Sequence, residues 1–151
     1  MDYNAVTTLI SAIISGFVAF LVCKWQVSKV KQSSEEARLN EQLFNILKIQ
    51  IEYPYLEHTQ FTNTWIREKA IENLDYQRYD SYCCILFNFM WQIYELYDGD
   101  KSKIEKFFAV AEEVIIHKIW WQNPLNPRDN IDGYDEKFRI YINSVIEKEI
   151  K

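Results

Sequence analysis

Residues 5–23, AVTTLISAIISGFVAFLVC, form a run of nineteen residues with no charged side chain. A helix of that length spans about 28 Å, the thickness of a bilayer's hydrocarbon core. The run is apolar on every face, whereas a helix on the surface of a soluble domain carries one apolar stripe. Two other readings apply to such a run, a cleaved signal peptide and the core helix of a soluble protein. A signal peptide wants Lys or Arg ahead of its apolar run and a small-residue cleavage pattern behind it. Here the leader is Met1-Asp2-Tyr3-Asn4 and the run ends in Val22-Cys23-Lys24-Trp25. Neither signal feature is present, so the expectation is a single transmembrane helix.

Orientation follows from the flanking charge. Lys24, Lys29, Lys31 and Arg38 come after the run and no basic residue comes before it. Basic residues are retained in the cytoplasm, so the N-terminus should lie outside the inner (cytoplasmic) membrane and the remainder inside. Lys24, Lys29 and Lys31 are placed to meet anionic lipid headgroups. Trp25 and Tyr3 suit the two interfaces. Within the run, Ser11, Ser15 and Ala19 share one helical row, and Ala12 and Gly16 lie on the next. Small residues let two membrane helices approach closely. The pattern accommodates both self-association through these five residues and a solitary anchor.

The rest of the chain must bury something of its own. Aromatic residues make up 16% of the sequence, with only three Gly and three Pro. That balance disfavours a many-turned β fold and disorder, and favours long helices. The segment 24–38 has four basic against two acidic residues, whereas 39–151 has thirteen against nineteen. An acidic domain is a poor match for phosphate backbones, so no nucleic-acid partner is expected. Cys23, Cys83 and Cys84 form no disulfide framework, in keeping with a reducing compartment. Cys23, at the membrane boundary, is also a position where palmitoylation occurs.

Periodicity predicts helices over 26–52, 59–74, 76–97, 102–122 and 134–150. The first should face inward with Leu39, Leu43, Ile46, Leu47, Gln50 and Ile51, and end at Tyr53-Pro54. The second should use Phe61, Trp65, Ile66, Ala70, Ile71 and Leu74. The third, with residues 82–91 apolar nearly all round, should be the core helix, closed by Gly99. The fourth starts with Ser102-x-x-Glu105, a capping-box pattern. The last presents Tyr134, Phe138, Tyr141, Ile142, Val145 and Ile146, with Asp132 as a candidate N-cap. Residues 123–130 read as a proline loop. The predicted fold class is all-α: an N-terminal single transmembrane helix plus a four- to five-helix cytoplasmic bundle. Residues 1–25 would be the tip and anchor, 26–38 a basic stalk, and 39–151 the helical cytoplasmic domain.

Motifs for chemistry are sparse. His58 and His117 are the only histidines, and no CxxC, HxxxH or HExxH occurs, so neither a metal site nor a cofactor is expected. Asp98-x-Asp100-x-Ser102 starts like a calcium loop, but Lys103 replaces the required Gly and Ala109 the bidentate Glu. No G-x-S-x-G and no glycine-rich phosphate loop is present. Glu113 and His117, one helical turn apart, are the candidate catalytic pair, able to share a proton; a surface salt bridge is the plainer reading. Trp120 and Trp121 are adjacent, so both should not reach one core; a clamp on the proline loop and a contact surface are the two readings.

Tyr53-Pro54-Tyr55-Leu56, the central Phe87-Asn88-Phe89, the run from His117-Lys118-Ile119 to Trp120-Trp121-Gln122-Asn123-Pro124, and Tyr134…Phe138…Tyr141-Ile142 resemble segments of uncharacterised bacterial proteins. Those proteins have one N-terminal membrane helix and a small α-helical cytoplasmic domain of unknown function, and are sometimes found in anti-phage defence loci. The resemblance implies a bacterial setting and carries no catalytic residue over. The expected function is a membrane-tethered, non-enzymatic interaction or effector module in defence or stress response, acting by self-association and by contact with an unidentified protein partner. The alternative is a membrane-bound hydrolase or nuclease using Glu113 and His117. Topology is directly testable: a C-terminal alkaline-phosphatase fusion should be inactive and a fluorescent-protein fusion bright, and an active phosphatase would reverse the orientation.

Overall fold

A computed structural model describes residues 3–125 and 133–149, with side chains from Ile13 to Lys148 within those limits. Among the described residues the secondary structure is entirely helical. Helix α1 (Tyr3–Glu52) is followed by a 3₁₀ turn, Pro54–Glu57, and then by α2 (Thr59–Thr62), α3 (Arg67–Glu72), α4 (Leu74–Leu96), α5 (Lys101–Phe107), α6 (Val110–Ile116), α7 (Lys118–Gln122) and α8 (Glu136–Glu149). The chain divides into two compact units, Met1–Arg38 and Leu39–Lys151.

The described part of the first unit, 3–38, is one continuous helix. Ile13–Glu52 contains a window of mean hydropathy 1.4, none of it buried, and is the one described helix long and apolar enough to cross a membrane. Phe17, Val18, Phe20 and Leu21 are all about half exposed or more. Phe17, Phe20 and Leu21 share one side of the helix, and the exposed Val18, Val22 and Val30 lie on the others, so the apolar surface wraps around it. Tyr3 and the side chains of Ser11 and Ala12 lie outside the described side chains.

The second unit is a bundle built around α4. Eight of its residues are buried, among them Tyr79, Tyr82, Leu86, Phe87 and Met90. Asn73 caps it by accepting from the Asp75 amide. At its far end Asp98 (φ 49) and Gly99 (φ 71) both take the left-handed conformation, and the Gly99 amide donates to the Tyr94 carbonyl at 3.0 Å. This is the hydrogen bond of a Schellman ending. Helices α3 and α5 pack on α4, and α6 packs on α8.

Two predicted helices are broken. The segment 59–74 is two short helices flanking an extended Ile66 (φ −144, ψ 147). The break lets Trp65, 2% exposed, turn inward and donate its indole N–H to the Asn123 carbonyl at 2.9 Å. Ile66, Ile71 and Leu74 are exposed instead of buried, since the short α3 buries only Ala70. The segment 102–122 is three helices, interrupted at an extended Phe108 (φ −154, ψ 136) and at His117 (φ −105, ψ 14). Phe108 meets Phe89 edge to face at 5.1 Å, a contact that a straight helix would not deliver.

Other expectations shift in detail. Asp100, not Ser102, caps α5, accepting from the Ser102 and Lys103 amides. Glu105 accepts instead from the Ala111 amide and the Tyr141 hydroxyl. On α1, Leu39 and Ile46 are buried but Leu47 and Ile51 are exposed. The buried line continues through the half-buried Ile49 and Gln50. The N-terminal cap of α8 is Asp135, whose carboxylate accepts from the Phe138 amide at 3.0 Å. Asp132, residues 126–130 of the proline loop, and Ile150 lie outside the described residues.

Trp120 and Trp121 are not a contact surface: they are 0% and 3% exposed. Both stack on Phe87, at 5.3 and 4.8 Å. Both thus pack on α4 through Phe87, and Trp121 also meets Tyr134 and Phe138. The Trp120 indole donates to Asp80 at 2.8 Å, and the Trp121 indole to Asn143 at 2.9 Å. Phe87→Ala would remove the ring between them and should cost about 3–5 kcal/mol. Denaturant unfolding of the detergent-solubilised chain measures this; an unchanged midpoint would place the core elsewhere.

Candidate functional site

His117 sits at the kink where α6 gives way to α7, and its side chain is 0% exposed. The kink turns the imidazole into the face of α4 that carries Tyr79, Tyr82 and Cys83. Its Nδ1 lies 3.0 Å from the Tyr79 hydroxyl and 3.9 Å from the Cys83 sulfur. The Tyr79 and Tyr82 rings flank the imidazole, each with its centroid 5.6 Å away.

The other ring nitrogen faces two carboxylates. Nε2 is 3.3 Å from Oε1 of Glu57 and 3.7 Å from Oε2 of Glu113. Glu113 reaches it from one turn earlier on α6, and Glu57 from the last position of the Pro54–Glu57 turn. One donor atom from each of the three residues lies within 4.8 Å of the others. Glu57 is held from behind: Gln50 donates to its Oε1 at 3.1 Å, and the Tyr82 hydroxyl makes a short bond to the same oxygen. Gln50 also donates to the Tyr82 hydroxyl at 2.9 Å. The two carboxylates are 24% and 17% exposed, so the centre is closed at the imidazole and open at the carboxylates.

The two acids are driven apart by their surroundings. Burial, with the nearby charges of Glu57 and Glu112, pushes Glu113 up to about 8. Burial also works to raise Glu57, but the contact and charge of His117 and the hydrogen bonds from Tyr82 and Gln50 outweigh it and hold Glu57 below the usual carboxylate range. The phenols of Tyr79 and Tyr82 and the Cys83 thiol are pushed up, chiefly by burial, and stay neutral at physiological pH. A neutral donor set behind one imidazole and two unlike carboxylates can hold a proton or a cation between them.

Glu113 and His117 are thus brought together, though not as a surface salt bridge. His58 is exposed and takes no part. Ser15, Gly16, Ala19, Lys24, Lys29 and Lys31 are exposed along α1, in the other unit. Glu57, Gln50, Tyr79 and Tyr82 escaped sequence reasoning. Two faint signals were available. Gln50 is polar on an otherwise apolar stripe, and Glu57 is the lone acidic residue of 53–67.

Fold and site together define an all-α protein with one membrane-length helix and a helical domain enclosing a histidine–carboxylate centre. Compared with known proteins, the chain matches no family model, no curated protein and no solved structure.

The shifted acids set a pH dependence. Glu113 is raised from 4.5 to about 8, so the folded chain keeps a proton that the unfolded chain releases in that window. This contribution is complete below the unfolded value and is lost as pH rises through the folded one. The depressed Glu57 acts oppositely, its contribution being lost as pH falls through its folded value. In buffer containing a chelator, stability should therefore decline from pH 6 to pH 8, by at most about 1.4 kcal/mol per pH unit. Glu113→Gln cannot ionise and should flatten that decline; an unaltered slope would remove Glu113 as its source.

Proposed function

We propose that this protein is a single-pass, membrane-anchored interaction or effector module without an enzymatic site. It is anchored in the cytoplasmic membrane with its helical domain inside, and works in bacterial defence or stress response. The observation that carries this reading is the exposed apolar surface around residues 13–30 of α1. In water such a surface is a liability, whereas in hydrocarbon it is the stable arrangement. Lys24, Lys29 and Lys31, at and beyond the end of the charge-free run, support the orientation.

Action is by self-association in the membrane and by contact with a protein partner. Gly16 supports the first part: it has no side chain and shares a helical row with Ala12, beside the row of Ser11, Ser15 and Ala19, a pattern that lets two membrane helices approach closely. The burial of His117 supports the non-enzymatic part, because a base with no accessible surface does not reach a bound substrate. The convergence of Glu57 on Glu113 and His117 is the observation that favours the rival, a membrane-bound hydrolase or nuclease.

Two substitutions separate the readings. Gly16→Ile keeps the anchor hydrophobic but blocks close approach, and should weaken both crosslinked oligomer and cellular phenotype. Glu113→Gln keeps the side-chain shape and should leave the crosslinked oligomer intact, whereas an acid–base enzyme would lose about 10²-fold or more of its activity. A folded Glu113→Gln protein without phenotype, beside a silent Gly16→Ile, would favour the hydrolase.

A further inference from the structure

We infer that Glu57, Glu113 and His117 form a binding site for a first-row divalent transition ion, zinc in preference to magnesium or calcium. The geometry is the first support. An ion held tetrahedrally at about 2.0–2.2 Å places adjacent donors about 3.3–3.6 Å apart. Nε2 of His117 is 3.3 Å from the Glu57 oxygen and 3.7 Å from the Glu113 oxygen, and the three donors lie within 4.8 Å of one another.

The second support is hydrogen bonding. Nε2 of His117 and Oε2 of Glu113 are both buried; Oε2 makes no hydrogen bond, and Nε2 makes none of good geometry, its nearest acceptor being the Glu57 oxygen at 3.3 Å. Buried polar atoms are ordinarily satisfied. Two unsatisfied atoms facing each other across 3.7 Å, one on a wholly buried ring, mark a place where a cation satisfies both at once.

The third support is the surrounding scaffold. The imidazole's other nitrogen is tied to the Tyr79 hydroxyl, which fixes the ring with Nε2 facing the carboxylates; with the proton on Nδ1, Nε2 offers its lone pair to an ion. Gln50 and Tyr82 hold the Glu57 carboxylate. Outer partners of this kind orient metal ligands throughout known sites. Two carboxylates and a neutral imidazole balance a dication, so the loaded centre carries no net buried charge. A nitrogen donor and so few oxygens argue against magnesium and calcium, which take six or more oxygens. The partly exposed carboxylates provide the entry path and leave a fourth position to water. The ion would join the Pro54–Glu57 turn to the α6–α7 kink across sixty positions of chain, so occupancy would tighten the bundle.

The test uses the full-length chain in detergent, stripped with a chelator and dialysed. Zinc should bind at one ion per chain by calorimetry and raise the melting temperature, while magnesium and calcium at the same concentration should not. Glu57→Gln and Glu113→Gln should lower zinc affinity by more than about 10-fold, and Tyr79→Phe by about 10- to 100-fold, with helical content retained. Cobalt substituted into the wild-type chain should give a tetrahedral visible spectrum without the sulfur charge-transfer band that Cys23, Cys83 or Cys84 would produce. The wild-type spectrum decides the matter even where a variant fails to fold. No stoichiometric binding of zinc or cobalt, a thiolate spectrum, or equal affinity in folded Gln variants would each overturn the site.

Discussion

Helix α4 carries apolar or aromatic side chains on most of its faces, and a helix of that kind is stable only when other elements surround it. Most of what is irregular in the domain follows from that demand. Straight helices laid alongside would each cover one stripe. Instead the flanking segments break, at Ile66, at Phe108 and at His117, and each break turns a large ring inward. Trp65, Phe108, Trp120 and Trp121 all meet the bundle at or beside such a break. The local cost of a broken helix is a few hydrogen bonds that neighbouring turns and side chains take up. The return is ring stacking, such as Phe87 between two indoles, that unbroken helices would not reach.

Burying tyrosines of α4 itself, Tyr79 and Tyr82, creates a second demand. A phenol hydroxyl removed from water needs a partner. Tyr79 finds His117, and Tyr82 finds Gln50 and Glu57. The polar centre is therefore continuous with the aromatic core, and is held as rigidly as the core is. It differs from an ordinary satisfied network in one respect: its inner atoms, on His117 and Glu113, face each other without a hydrogen bond. Structural hydrogen bonding accounts for the outer ring of the cluster; its middle holds only the ion-pair contacts of His117 with Glu57 and Glu113.

The two units present different surfaces. Among the described residues of Leu39–Lys151 large apolar groups are mostly covered, the uncovered ones including Phe44, Leu47 and Ile51 along one side of α1. Along residues 13–30 of α1 they are exposed without interruption. The same hydrophobic effect that assembles the bundle would place the anchor in lipid, because neither surface is stable against water.

Local pattern in the sequence determined the all-α class, the membrane-length apolar run, the end of α1 at Tyr53-Pro54, the central place of α4 and the inward face of α8. Each rests on spacing or backbone chemistry within one turn or two of helix, which neighbouring residues settle among themselves. Only the tertiary structure decided where the long predicted helices break, because a break is favoured by rings contacting a helix far away in the chain. It alone decided that both Trp120 and Trp121 are covered, since both pack on α4 through Phe87. The pair Glu113 and His117 was legible as an i, i+4 spacing, but its burial and its third member were not. Glu57 is sixty positions from His117, and no local periodicity relates them; the turn after Pro54 and the kink at His117 bring them within 3.3 Å.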